Sequence, residues 1–315
     1  MENKYKNIAL FAVCIIVMVF ATSQLQAQQD SQYTQYMYNT QTVNPAYAGT
    51  RGVFGITSLY RNQWVGLEGA PETLNLSLST PLGESQRVGL GVSFIKDKVG
   101  PADESTLVAD FSYTIPVGER TNLSFGLKGG FNLLNVDYGV LTINNPNDAL
   151  QQFNIDNRTK VVAGLGLYLH DIEKWYVGVS IPNFLETTHY DDTNISNASE
   201  KANAYAIAGY VFNLSDNTKF KPAVLGKFIQ GAPIGLDLSA NFLLYEKFTL
   251  GAAYRLDAAV SALAGFQITE GMFIGYSYDY GTQELANFNS GSHEIFLRFE
   301  FANTKTDRFL TPRFF

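Results

Sequence analysis

The 315-residue chain is 46% hydrophobic and 14% aromatic, carries only 16% charged residues and has a net charge of −7. This composition argues against disorder, and a pI of about 5.0 leaves no basic footprint for nucleic acid. One Cys rules out a disulfide scaffold, and mean hydropathy of −0.04 with a single long apolar run argues against a helical membrane protein.

That run, residues 8–20, follows Lys4 and Lys6 and precedes a small and polar stretch ending in Gln26-Ala27-Gln28. A basic start, a short apolar centre and a cleavage-site Ala read as a secretory signal peptide over 1–27. Leu25 departs from the small residue expected two positions earlier. At about 1.5 Å per residue the run spans about 20 Å, short of the roughly 30 Å hydrocarbon core, so an anchor helix fits poorly. Cys14 lies inside the apolar run, so it is not a lipidation site, and the chain from Gln28 onward has no Cys.

From residue 52 the pattern has period 2. Leu74, Leu76 and Leu78 alternate with Asn75 and Ser77; Leu107, Ala109, Phe111 and Tyr113 alternate with Val108, Asp110 and Ser112; Ile295, Leu297, Phe299 and Phe301 alternate with Phe296, Arg298 and Glu300. The reading gives fourteen strands, at 52–62, 72–80, 87–97, 104–115, 122–136, 159–170, 174–181, 202–214, 219–230, 234–244, 248–257, 260–269, 272–280 and 293–302. Every even-numbered connection is a short turn, whereas two odd-numbered ones, about 137–158 and 182–201, are long and polar. Short turns at one end and long loops at the other predict an all-β, antiparallel up-and-down transmembrane barrel with both termini periplasmic. Closure leaves no strand edge in lipid. A soluble β-sandwich is the competing fold.

The apolar set would face lipid. Asp110, Lys128, Lys227, Asp237, Asn241, Arg255, Asp257, Gln267, Asp279, Glu294 and Arg298 would face the lumen. Aromatics at strand ends, among them Tyr60, Trp64, Trp175, Phe228, Tyr245, Phe248, Tyr278 and Tyr280, fit interfacial girdles. Gly89-Leu90-Gly91 and Gly164-Leu165-Gly166 fall within strands and read as places of close packing, not as nucleotide loops.

Enzyme signatures are lacking: no Gly-x-Ser-x-Gly elbow, phosphate loop or His-Glu-x-x-His motif occurs. The three histidines, His170, His189 and His293, leave a spatially assembled hydrolase site as the weakest alternative. Asp191-Asp192 lacks the spacing of a calcium loop. The reading is therefore of a non-enzymatic chain with no catalytic residue, cofactor or metal.

Two polar-aromatic segments lie outside the strands. One is Gln32-Tyr33-Thr34-Gln35-Tyr36-Met37-Tyr38-Asn39 leading to Asn44-Pro45-Ala46-Tyr47-Ala48-Gly49; the other is 307–315. Aromatics outside a core argue for docked segments. The division expected is 28–51 as a periplasmic or plug segment, 52–302 as the barrel and 303–315 as a periplasmic tail.

These residues, with Tyr60-Arg61-Asn62-Gln63-Trp64-Val65-Gly66-Leu67-Glu68-Gly69-Ala70-Pro71, Tyr176-Val177-Gly178-Val179-Ser180-Ile181-Pro182-Asn183, Gln230-Gly231-Ala232-Pro233 and Ser290-Gly291-Ser292-His293-Glu294, resemble the PorP/SprF family of Bacteroidetes outer-membrane proteins. The resemblance runs over nearly the whole chain after the signal. It departs at Asn62, where a second basic residue is expected, and in having no appended peptidoglycan-binding domain. It implies an integral outer-membrane barrel working with type IX secretion or gliding. Its partners would be a large secreted adhesin or other type IX cargo, periplasmic scaffold proteins and outer-membrane lipid. Candidate partner-binding residues are Tyr36, Asn44, Pro45, Tyr47, Gly49, Trp64, Gly66, Pro71, His293, Arg313 and Phe314. Trp64 reads equally as an interfacial anchor, and Gly49 and Gly66 as positions demanding positive φ. A diffusion channel or small-molecule transporter is the alternative function.

Overall fold

The computed structural model describes residues 33–141, 154–185, 187–188, 199–200, 202–230 and 232–301. Its strands are β1 (Phe54–Asn62), β2 (Glu72–Leu82), β3 (Val88–Val99), β4 (Ala102–Pro116), β5 (Thr121–Val136), β6 (Ile155–Asp171) and β7 (Trp175–Ile181). Then come β8 (Asn203–Tyr210, continued by Phe212–Ser215), β9 (Thr218–Ile229), β10 (Gly235–Leu244), β11 (Phe248–Arg255), β12 (Ala259–Thr269), β13 (Met272–Gly281) and β14 (Ser292–Phe301). Each strand pairs antiparallel with the next, and β1 pairs with β14 from Phe54↔Phe301 to Asn62↔His293. The sheet thus closes as a 14-strand barrel, so hydrogen bonds run across every strand-to-strand seam, as a hydrocarbon environment demands. No helix among the described residues is long and apolar enough to cross a membrane.

The sandwich is ruled out by the β1–β14 closure. Expected and observed strands agree closely, most ends shifting by two residues or fewer, and three shifts bear on the reading. β6 starts at Ile155 instead of 159, and β2 runs through Pro81 to Leu82, where Pro81 faces Gly89. β11 ends at Arg255, so Asp257 is not a lumenal residue: it is exposed in the turn to β12, at φ 53°. The turns at 83–87, 117–120, 172–174, 216–217, 245–247 and 270–271 mark one end, here called the inner end. Short turns define the periplasmic side of such barrels. Of the two long loops, 142–153 and most of 186–201 lie outside the described residues; Thr187–Thr188 pairs with Ser199–Glu200.

The alternating side chains divide as the pattern predicts. Leu76, Phe94, Leu107, Phe111, Leu127, Leu165 and Leu250 project outward. Asn75, Ser77, Ser93, Asp110, Lys128, Asn241, Asp279, Glu294 and Arg298 are buried inward. The apolar wall faces outward, where lipid is the solvent, so the usual arrangement of a soluble core is inverted.

Leu127 sits amid this outer band with 62% of its surface uncovered, flanked by Phe111 and Leu165. Leu127→Arg should cost about 2–4 kcal/mol. Denaturant unfolding from lipid vesicles reads this as a lowered midpoint, and an unchanged midpoint would contradict a lipid-facing β5.

Candidate functional site

The lumen is not empty. Residues 33–50 lie inside it, and all but Thr50 are buried. The segment begins near the outer end of the barrel. There Arg255, the last residue of β11, donates from Nη2 to the Tyr33 carbonyl at 3.3 Å. It ends near the inner mouth, where Gly49 N donates to Ser79 Oγ at 2.8 Å and Arg51 pairs with Glu300. A single helical turn at Thr40–Val43 and a 3-10 turn at Pro45–Tyr47 fold it on the way. Asn44 caps that second turn, its Oδ1 accepting from Ala46 N at 3.0 Å, with Pro45 at the first position, where its missing N–H costs nothing.

The outer anchor is an ion cluster. Arg61 on β1 and Glu294 on β14 are direct cross-strand partners. Arg61 lies 3.2 Å from Glu294 and 2.6 Å from Asp279. Two carboxylates against one guanidinium leave a formal negative charge, and the segment answers it. Thr34 N and Gln35 N donate to the two oxygens of Glu294 at 2.9 and 2.8 Å, and Thr34 Oγ1 donates to Asp279 at 2.6 Å. Hydrogen bonds to ionised groups are the strong ones.

A second anchor lies on β4 and β5. Lys128 Nζ stands 3.6 Å from Asp110 and donates to the carbonyls of Thr42 at 3.0 Å and Gln41 at 3.4 Å. Ser180 donates to Val43 O at 2.6 Å, Asn44 Nδ2 to Leu167 O at 3.0 Å, and Ser112 to Ala48 O at 2.6 Å.

Wall glycines make room. A Cβ on Gly126 would strike the backbone of Ala46, on Gly89 the carbonyl of Ala48, and on Gly166 the side chain of Asn44. The close-packing reading of Gly89 and Gly166 is therefore right, and what packs there is the N-terminal segment. Aromatic contacts fill the remainder. Tyr38 packs on Phe273 and Phe296 under the Lys221 ammonium, 4.7 Å from the ring centroid, and Tyr47 meets Tyr168 edge-on.

The sequence candidates fall into three groups. Tyr36, Asn44, Pro45, Tyr47 and Gly49 are all buried in the lumen. Tyr36 OH lies 3.4 Å from Ser239 Oγ, and Gly49 has φ 72°. Trp64, Gly66, Pro71 and His293 lie at the outer rim. Here Val65 N donates to Gly291 O and Ser290 N to Val65 O, both at 2.8 Å, and Trp64 N to Ser292 Oγ at 3.2 Å. Gln63 N donates to Pro71 O, closing the loop, and Gly66 has φ 101°. His293 Nδ1 is 2.6 Å from the Tyr276 hydroxyl on the outward face. Arg313 and Phe314 lie outside the described residues, as do residues 1–27, where a signal peptide is expected, and His189, Asp191 and Asp192.

The residues that do most to hold the segment, Glu294 and Lys128, were not among the partner-binding candidates, although both were expected to face the lumen. Their inward parity was readable; their partners were not, because those lie far away in sequence. His170 lines a cavity of about 160 Å³ at the inner mouth, with Tyr47, Arg51, Tyr168, Trp175 and Tyr176. That lining holds no Ser or Cys. No group of three metal-ligating side chains occurs among the described residues.

Removing one member of a buried ion cluster typically costs about 3–5 kcal/mol, because its partners stay buried and unpaired. Arg61→Ala should therefore loosen the segment. In planar bilayers wild type should show no long-lived open steps, whereas the variant should show them. Equal conductance in both would mean that the segment does not obstruct the lumen.

Among solved structures, the chain is similar to the CymD monoaromatic hydrocarbon channel, with TM-score 0.51 and 15% identity over 89% of this chain and 95% of that one. It is also similar to the Ralstonia pickettii toluene transporter TbuX, with TM-score 0.47 and 13% identity over 82% of this chain and 92% of that one. The first likeness shows the barrel fold. A comparison with curated proteins gives no match. The family of type IX secretion system membrane proteins PorP/SprF matches residues 25–299, which span the lumenal segment and all but the end of the last strand. The chain belongs to the PorP/SprF family of type IX secretion system membrane proteins.

Proposed function

We propose that this barrel supports export or surface anchoring of a large adhesin-like cargo, and that it docks periplasmic scaffold proteins of the secretion or gliding machinery. The supporting observation is the outer rim. The loop 63–71 and residues 290–292 are tied together by main-chain hydrogen bonds, so the rim is a built surface, not a fringe of independent loops. Trp64, Gly66, Pro71 and His293 would contact cargo there. The inner end, with the tail carrying Arg313 and Phe314, would meet the periplasmic scaffold. Tyr36, Asn44, Pro45, Tyr47 and Gly49 would act through the lumenal segment, not as a free surface. The protein acts without catalysis, by binding.

The diffusion-channel reading draws on the shared barrel fold. A lumen holding a buried, hydrogen-bonded segment speaks against free diffusion. Affinity isolation of the tagged protein from cross-linked, detergent-solubilised outer membranes should recover a large secreted surface protein or type IX components. Recovery of the barrel alone would overturn the cargo reading. Export through a cleaved signal peptide is part of the proposal: N-terminal sequencing of the membrane-embedded protein should begin at Gln28, and an intact Met1 would refute it.

A further inference from the structure

The wall of the lumen addresses the main chain of residues 33–49 along its length. Glu294 accepts from two successive amides, Arg255 donates to Tyr33 O, Lys128 to two carbonyls, Ser180 to Val43 O and Ser112 to Ala48 O, and Ser79 accepts from Gly49 N. Groups that read main-chain atoms are what a peptide-binding site presents. Side chains of the segment supply selectivity: Thr34 Oγ1 donates to Asp279 and Gln41 Nε2 to Ser93 Oγ and Leu78 O, the Tyr38 ring packs on Phe273 and Phe296 and the Tyr47 ring on Tyr168, and the Asn44 side chain fills the recess at Gly166 and Gly178. The join to β1 is a turn with positive φ at both Gly49 and Gly52. Residues 33–49 therefore have the contacts of a bound peptide and the covalent attachment of a tethered one. A tether raises the effective concentration to the millimolar range, which hides a site from competitors.

We infer that the lumen is a polypeptide-binding site, held in cis by the chain's own N-terminal segment, and that another polypeptide with the same tyrosine spacing can take its place once the tether no longer acts. The ligand is a main chain with Tyr at the relative positions of Tyr38 and Tyr47 and a small polar residue at that of Asn44. This goes beyond the cargo reading and does not depend on it: cargo isolation can fail while the lumen binds peptide, and the converse holds.

The test uses the full chain. A protease recognition sequence is placed between Arg51 and Gly52, the protein is folded and purified in detergent, and it is then cut. A fluorescent synthetic peptide of residues 28–50 should bind the cut protein saturably and release the original segment on size exclusion. A scrambled peptide should not bind, and an Asn44→Leu peptide should bind at least about tenfold more weakly. Loss of the segment with no rebinding, permanent retention with no exchange, or equal binding of the scrambled peptide would each overturn the inference. A second measurement needs no insertion. In the unmodified protein, the amides of Thr34, Gln35, Tyr47 and Gly49 should exchange hydrogen together, and faster than those of β4 and β5, because a tethered ligand opens as its own unit. Protection equal to the strands would contradict it.

Discussion

Glu294 has no access to solvent, and everything inside the barrel is arranged around that fact. A buried carboxylate is costly unless a counter-charge and hydrogen bonds surround it. Arg61 supplies the counter-charge from the neighbouring strand, but it also serves Asp279. What completes the arrangement is a pair of amides from a distant part of the chain, those of Thr34 and Gln35. The wall of the barrel alone does not satisfy its own charges. The N-terminal segment is part of the electrostatic solution that keeps the lumen folded, which explains why a polar stretch of so few residues is buried so completely.

Space is the second constraint. A 14-strand barrel encloses more room than one set of inward side chains can fill. Here the inward set is small on one arc, with Gly89, Gly91, Ser112, Gly126, Gly166 and Gly178, and the segment lies against that arc. Elsewhere on the wall the inward set is aromatic, with Tyr168, Tyr176, Tyr205, Phe273 and Phe296. The aromatic ring faces of the segment, Tyr33, Tyr36, Tyr38 and Tyr47, belong to the same buried cluster. The only extensive hydrophobic core of the described residues is thus the contact between the segment and the inner wall.

The fold was legible because period 2 is a local signal and closure follows from physics once strands face lipid. Leu74–Leu76–Leu78 is readable without knowing any neighbour. The parity of Asp110, Lys128, Asp279 and Glu294 was readable for the same reason. Asp257 was misread because parity continues on paper past the point where the backbone turns. Partnership was not legible. Nothing local says that Glu294 faces Thr34, or that Lys128 reaches Thr42, since these contacts cross more than eighty residues and depend on barrel register. The polar-aromatic character of 32–39 did mark it as a docked segment, and the glycines within β3 and β6 marked close packing. The two features meet only in the closed barrel, where Gly89 of β3 and Gly166 of β6 lie against Ala48 and Asn44.

The same register links the outer rim to the lumenal segment. Arg61 precedes the rim loop 63–71 by a single strand residue, and Glu294 follows Ser292, which receives the Trp64 amide, by two. The main-chain bridge between Val65 and residues 290–291 therefore stands directly on the residues that clasp Thr34 and Gln35. A ligand that shifts this bridge must move Arg61 relative to Glu294 or strain β1 and β14 against each other. The outer rim and the outer anchor of the lumenal segment thus share one strand pair, β1 and β14, in a close-packed interior that transmits small displacements. Coupling of this kind requires a ligand that binds the two arrangements of the cluster differently.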